Sequence, residues 1–154
     1  MTSLSCDVLA ALKGKTLVTA ESCTGGGIGA ALTAIPGSSE VYKGGIISYT
    51  DWVKNRILGV EQTLLDREGA VSAAVAEAMA VGAAKTIAAD VAVSVTGLAG
   101  PGGDDRGNPV GTVFIGYCCR NLVLSRKYLF KGDRESVRRQ AVEATLRLIL
   151  EMNQ

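Results

Sequence analysis

Apolar positions recur along the chain with two spacings, and the switches between them lay out the elements. Val8, Leu9 and Leu12 fall at helical spacing and predict an opening helix around Ser5 to Leu12. "KTLVTAE" reads as a short strand, and "GGIGAALTAI" as a helix that ends before "PGSS". "GGIISYT" is a second strand, after which Asp51 is placed to cap a helix "WVKNRIL". "SAAVAEAMAVGAAKTIAA" is a long Ala-rich helix capped by Ser72, with a face small enough to pack closely on a sheet. "DVAVSVTG" is apolar on both faces, the pattern of a central buried strand. "GTVFIGYCC" and "NLVLSRKYLF" form a hairpin pair. "GDRESVRRQAVEATLRLILEMN" closes the chain as a helix capped by Asp133, with Val137, Ala141, Thr145, Leu148 and Ile149 on one stripe.

Strands that alternate with helices and end in a hairpin predict an α/β fold, a three-layer α/β/α sandwich on a mixed sheet. The 154 residues suit one domain spanning 1–154. In such sheets the loops at the carboxyl ends of the strands build the site. Three places qualify: Ser22 after the first strand, Tyr49 after the second, and Thr96 to Gly103 after the third.

The first of these, "AESCTGGGIGAA", admits three readings. Ser22 or Thr24 could cap a helix, with the glycines allowing close packing on the sheet. Gly25, Gly27 and Ala30 match the G-x-G-x-x-A dinucleotide pattern, although the acidic residue expected about 20 positions on is not at the end of the second strand. In the third reading Ser22 is a nucleophile on a strand-to-helix turn, at the positive end of a helix dipole, with backbone N–H groups around Thr24 to Gly27 as an oxyanion hole.

Composition sharpens the third reading. The chain has no histidine, which removes Ser-His-Asp and Cys-His mechanisms. Without histidine, and with its thiols and carboxylates unclustered, it offers no metal site. Proton transfer then falls to Lys, Tyr, Asp, Glu or water. A lysine with a lowered pKa can activate a serine, and Tyr49 and Lys54 follow the second strand, five residues apart. Taken alone, Lys54 reads as a solvated helix lysine. The four cysteines, Cys6, Cys23, Cys118 and Cys119, show no zinc or redox spacing and are expected to be reduced, with Cys118 and Cys119 on opposite faces of a strand.

A net charge of +1 gives no electrostatic footprint for nucleic acid or an anionic membrane, so neither partner is expected. No apolar run approaches the ~18 residues of a membrane span, and the first residues do not form a signal peptide. The expected location is the cytoplasm, and the helix-rich edges suit a homo-oligomer. The loop "GLAGPGGDDRGNPVG" lacks the Gly-Lys-Ser/Thr of a Walker loop, but its small residues expose backbone N–H groups that can hold an anion. Its fifteen residues without an element suit a functional loop better than a flexible one. Arg134, Arg138 and Arg139 follow, either as a solvated helix face or as anion ligands.

"TAESCTGG", "SYTDWVK", "GAVS", "VSVTGLAGPGG", "PVGTVFIG" and "GDRESVRRQA" occur in one order. Together they resemble the C-terminal domain of the competence/damage-inducible protein CinA, whose standalone versions are PncC-type nicotinamide mononucleotide (NMN) deamidases. The resemblance runs from about Ser5 to Leu150. It implies hydrolysis of the NMN carboxamide to nicotinate mononucleotide and ammonia, without a cofactor. It implies Ser22 as nucleophile with Tyr49 and Lys54 as proton-handling partners. Around them, Glu21, Cys23, Thr24, Gly25 and Gly26 would line the substrate site with Thr96, Gly97, Ala99, Gly100, Pro101, Gly102 and Arg134. Cys23 fits the family's pattern as a packing residue. Where the family often has Glu-Lys-Pro this chain has "DDRGNPVG", with Arg106 or Asn108 in place of the lysine's contact, and Trp52 stands where a small or polar residue is usual. The larger N-terminal domain of full-length CinA proteins is not part of this resemblance, and its activity is not implied. The family's name also leaves open a non-catalytic module that binds a nucleotide or a partner in competence or the DNA-damage response.

Overall fold

A computed structural model describes all 154 residues. The elements are α1 (Thr2–Ala11), β1 (Leu17–Glu21), α2 (Gly27–Thr33), a 3-10 turn (Ser38–Glu40), β2 (Tyr42–Ile47), α3 (Asp51–Arg56), α4 (Gln62–Glu68), α5 (Ala73–Ile87), β3 (Val91–Gly97), β4 (Thr112–Cys119), β5 (Leu122–Leu129) and α6 (Arg134–Met152). The sheet order is β2-β1-β3-β4-β5. Strands β2, β1 and β3 run parallel, and β4 and β5 form an antiparallel hairpin beside β3, so the sheet is mixed and β3 is its centre.

Each face of the sheet carries its own core. Val91, Val93 and Val95 of β3 point to the face covered by α1, α2 and α6, where Val8, Ile28, Leu32, Val137, Leu146 and Ile149 pack. Ala92 points the other way, into a second core with Val18, Val75, Met79 and Ala80 under α5. This period-two division explains why "VAVSV" reads as apolar throughout. It also sends Cys118 and Cys119 to opposite faces, and all four cysteines are free thiols. The α5 face is built from small residues because the helix lies close. Ser94 Oγ donates to Ala76 O at 2.5 Å, and a Cβ on Gly116 would collide with that same carbonyl.

Several boundaries differ from the sequence pattern. α4 and the 3-10 turn lie in stretches whose pattern predicts no element, because both are short. α3 is capped by Thr50, not Asp51: Thr50 is extended and its hydroxyl accepts from Val53 N at 3.4 Å, while Asp51 is already helical. Ser72 and Asp133 cap α5 and α6 as expected, accepting from Val75 N at 3.3 Å and Ser136 N at 2.9 Å. No helix is long and apolar enough to cross a membrane.

Candidate active site

Because β2, β1 and β3 are adjacent and parallel, their carboxyl ends open on one edge of the sheet. The three loops leaving them enclose a cleft of about 280 Å³. Its wall includes Ser22 and Cys23 from the first loop, Tyr49, Asp51 and Lys54 from the second, and Thr96, Gly97, Ala99, Gly100 and Gly102 from the third, with Arg134 from the start of α6.

Glu21 explains how Ser22 is held. Its carboxylate is almost fully buried and accepts from Ile28 N at 2.8 Å and Gly29 N at 3.0 Å. It also accepts from the hydroxyls of Thr24 at 2.7 Å and Thr19 at 3.3 Å. A side chain from the end of β1 thus satisfies the first N–H groups of α2, the work expected of Ser22 or Thr24. This corrects two expectations. Glu21 is not on the cleft wall, because its oxygens are committed to the helix. The dinucleotide reading fails for the same reason, since a protein carboxylate already holds the N–H groups that a pyrophosphate would need. Gly26 takes the N-cap position with φ of 99°, a conformation that favours glycine.

Ser22 is left free to face the cleft. Its N–H is tied to Val95 O at 2.9 Å, which fixes the turn against β3. Arg138 of α6 braces the same turn from behind, donating from Nε to Cys23 O at 3.0 Å and from Nη2 to Thr24 O at 3.3 Å. With both of these bonds on backbone carbonyls, Arg138 does not line the cleft. In the turn itself, Gly25 N and Gly27 N donate to Ser22 O and Thr24 O, so they are not available for an oxyanion. The N–H groups of Cys23, Thr24 and Gly26 donate to no protein group.

Lys54 is the main surprise against the sequence. It is 1% exposed rather than solvated, and its Nζ lies 3.0 Å from Ser22 Oγ and 2.7 Å from Ser48 O. Burial in the sheet edge lowers its pKa from the ordinary lysine value, and the Asp51 carboxylate on the same helix partly opposes that. A neutral amine there can donate to Ser48 O while accepting the Ser22 hydroxyl proton. Cys23, also in the wall, is pushed up to about 11 by burial, which keeps it a thiol and fits a packing role.

Tyr49 does not join this pair. It is 58% exposed, and its hydroxyl accepts from Arg134 Nη2 at 3.0 Å rather than reaching Ser22 or Lys54. Arg134 also donates from Nη1 to Gly100 O at 2.8 Å, so one guanidinium joins the second and third loops at the mouth. Thr96 Oγ1 donates to Ala70 O at 2.8 Å and leaves its lone pairs to the cleft. The N–H groups of Ala99, Gly100, Gly102 and Gly103 have no protein partner. Thr24, Gly25, Gly26 and Pro101 lie outside the wall; Leu98, within the Thr96 to Gly103 stretch, belongs to it, as do Asp51, expected only as a helix cap, and Ala70 and Val71, for which no site role is expected from the sequence. Arg106 and Asn108 are committed elsewhere: Arg106 donates to Asp66 O and Arg67 O at the end of α4, and Asn108 to Asp104 at 2.7 Å. Trp52 is exposed with Arg56 over its ring at 5.5 Å. No group of three or more His, Cys, Asp or Glu is arranged to hold a metal ion.

The CinA C-terminal domain family matches residues 2–153. The chain belongs to that family. It is 46% identical over 136 residues to the nicotinamide-nucleotide amidohydrolase PncC of Pseudomonas putida, covering 88% of this chain and 85% of that protein. It is 52% identical over 121 residues to a CinA-like protein of Thermosynechococcus vestitus, covering 78% of this chain but 29% of that one. The chain spans about a third of the length of such CinA-like relatives. The crystal structure of a competence or damage-inducible protein from Enterobacter asburiae superposes with a TM-score of 0.97 at 35% identity, covering 99% of this chain and 98% of that one.

Proposed function

We propose that this CinA C-terminal domain is a nicotinamide-nucleotide amidase that converts NMN and water to nicotinate mononucleotide and ammonia, using Ser22 and Lys54 as its reacting pair. The observation that carries this reading is the buried Lys54 amine 3.0 Å from the Ser22 hydroxyl in a chain without histidine. The amidohydrolase name of the Pseudomonas putida relative supports the substrate.

In the first step Ser22 Oγ attacks the carboxamide carbon as its proton passes to Lys54 Nζ. The carbonyl oxygen gains the negative charge, and the uncommitted N–H of Cys23, beside Ser22 in the wall, is the donor that this turn offers it. Lys54 then gives the proton to the leaving nitrogen, the C–N bond breaks, and ammonia departs. Water attacks the resulting ester and loses a proton to Lys54, which returns it to Ser22. The phosphate lies at the mouth, against the free N–H groups of the glycine loop and the remaining N–H donors of Arg134. Tyr49 orders that mouth through Arg134. The reaction needs no metal or cofactor.

The test is to incubate the protein with NMN and follow nicotinate mononucleotide and ammonia. Stoichiometric release of both is the expected result. Tight NMN binding without turnover would replace the enzyme by a nucleotide-binding module.

A further inference from the structure

Ser48, immediately after β2, brings more to the site than its backbone. Its N–H donates to Glu21 O at 2.9 Å, and its carbonyl accepts from Lys54 Nζ at 2.7 Å. Its hydroxyl is fully buried and has no hydrogen-bond partner. A buried hydroxyl without a partner costs stability, and removing it with its methylene kept is nearly free or favourable. The other such hydroxyl, on Ser5, lies on α1 away from the cleft.

The Ser22–Lys54 chemistry creates a need that this hydroxyl can meet. A neutral amine has two donors and one lone pair, and an ammonium has three donors. When Lys54 takes the Ser22 proton, Ser22 Oγ becomes bonded to carbon and is a poorer acceptor. The new charge sits where burial penalises it. The neighbouring ionisable groups do not supply the missing acceptor. Glu21 is saturated by two N–H groups and two hydroxyls. Asp51 acts on Lys54 through space, without a hydrogen bond. Cys23 is a neutral thiol, while Arg134 and Arg138 are cations bound to carbonyls and to Tyr49. Ser48 Oγ belongs to the residue whose carbonyl already holds Nζ, so rotation about the Cα–Cβ bond alone changes its distance to Nζ while that carbonyl stays in place.

We propose that Ser48 is a positioning residue for the catalytic base: its hydroxyl turns to accept a hydrogen bond from the Lys54 ammonium formed as Ser22 attacks. Ser48 keeps its own proton throughout. This inference rests on the reading of Ser22 and Lys54 as the reacting pair.

Three measurements on the full chain test it, and two need no substrate. The Lys54 titration, read from its side-chain 13Cε shift, moves to lower pH in Ser48→Ala and is retained in Ser48→Thr. In NMN deamidation the kcat plateau falls about tenfold in Ser48→Ala, one hydrogen bond's worth. The limb of kcat/KM moves down in pH with it, and Ser48→Thr restores both. Thermal unfolding of Ser48→Ala occurs at or above the wild-type temperature. An unchanged Lys54 titration in Ser48→Ala overturns the inference, even if NMN turnover is robust. Lys54→Met with wild-type turnover instead sinks the underlying reading, whatever Ser48 does.

Discussion

The cleft has two ends built on opposite principles. At its inner end Ser22 and Lys54 are 8% and 1% exposed, and every neighbour is fixed by a protein bond: Glu21 to α2, Ser22 N to Val95, Arg138 to Cys23 and Thr24, Lys54 to Ser48. At its mouth Tyr49 is 58% exposed, and the glycine loop offers N–H groups that nothing in the protein uses. In the proposed mechanism, burial at the inner end serves chemistry, because a buried lysine with a lowered pKa can act as a base. In the same mechanism the open backbone at the mouth serves recognition, because an anion can replace water on unpaired N–H groups. The division predicts that substitutions at the inner end lower kcat, whereas those at the mouth raise KM.

Ser22→Ala is the largest break. It should remove ammonia release from NMN altogether while the fold and NMN binding persist. A variant with wild-type turnover would end the nucleophile reading.

Lys54→Met should cost at least about 100-fold in turnover, the scale of a lost general base. It also carries a stability signature. The folded-state pKa of Lys54 lies below its ordinary value, so between the two the unfolded chain holds one proton more than the folded one. Wild-type stability relative to Lys54→Met therefore rises with pH through that window, by up to ~1.4 kcal/mol per pH unit, and is level below the folded pKa. Denaturant unfolding of both proteins across alkaline pH measures it. A difference independent of pH would mean that Lys54 is not held neutral by burial.

The mouth should respond differently. Arg134→Ala should raise KM for NMN roughly 10- to 100-fold, the range for a lost charged hydrogen bond, with kcat within a few-fold. Tyr49→Phe removes a hydroxyl whose only partner is Arg134 and should cost less than about tenfold. If Tyr49→Phe instead slowed turnover by about 100-fold, the scale of a lost proton-transfer group, the tyrosine would have to swing inward in the complex. The two ends would then no longer be separate.

The same two ends are unequally legible in the sequence. Period-two and period-3.6 patterns locate β1, β3, the hairpin and the long helices, because their apolar faces must meet a core. The missing histidine directs attention to Lys54. Its burial is not readable, since a lysine on a short helix looks the same whether it faces water or the sheet edge. That depends on how α3 is set by Thr50 and the end of β2, a tertiary matter. Glu21 reads wrongly as a substrate ligand for a similar reason. Its partners Ile28 and Gly29 lie seven and eight residues on, so local capping rules do not reach it. Ser48 opens the motif "SYTDWVK", but its unpaired hydroxyl is not readable there, because such a hydroxyl is defined only by what surrounds it. The glycine loop is visible as a site from its composition, but which of its N–H groups remain free depends on the hydrogen bonds of Leu98, Gly111 and Thr112.

Asp51 stands at the boundary of the two ends and gives the smallest predicted effect. It lines the cleft, and its carboxylate raises the Lys54 pKa against the larger, lowering effect of burial. Asp51→Asn removes that opposition, so the limb of kcat/KM should move to lower pH by a fraction of a unit, with the plateau little changed. Because Asp51 is exposed, the interaction is screened. The wild-type limb should itself drift down in pH as salt rises, since the Debye length falls from ~10 Å at 0.1 M to ~3 Å at 1 M. The Asp51→Asn limb should stay put over the same range. Converging limbs at high salt would assign the coupling to Asp51 across solvent. A salt-independent gap would instead mean a direct bond between Asp51 and Lys54 in the working enzyme, and the boundary would belong to the inner end.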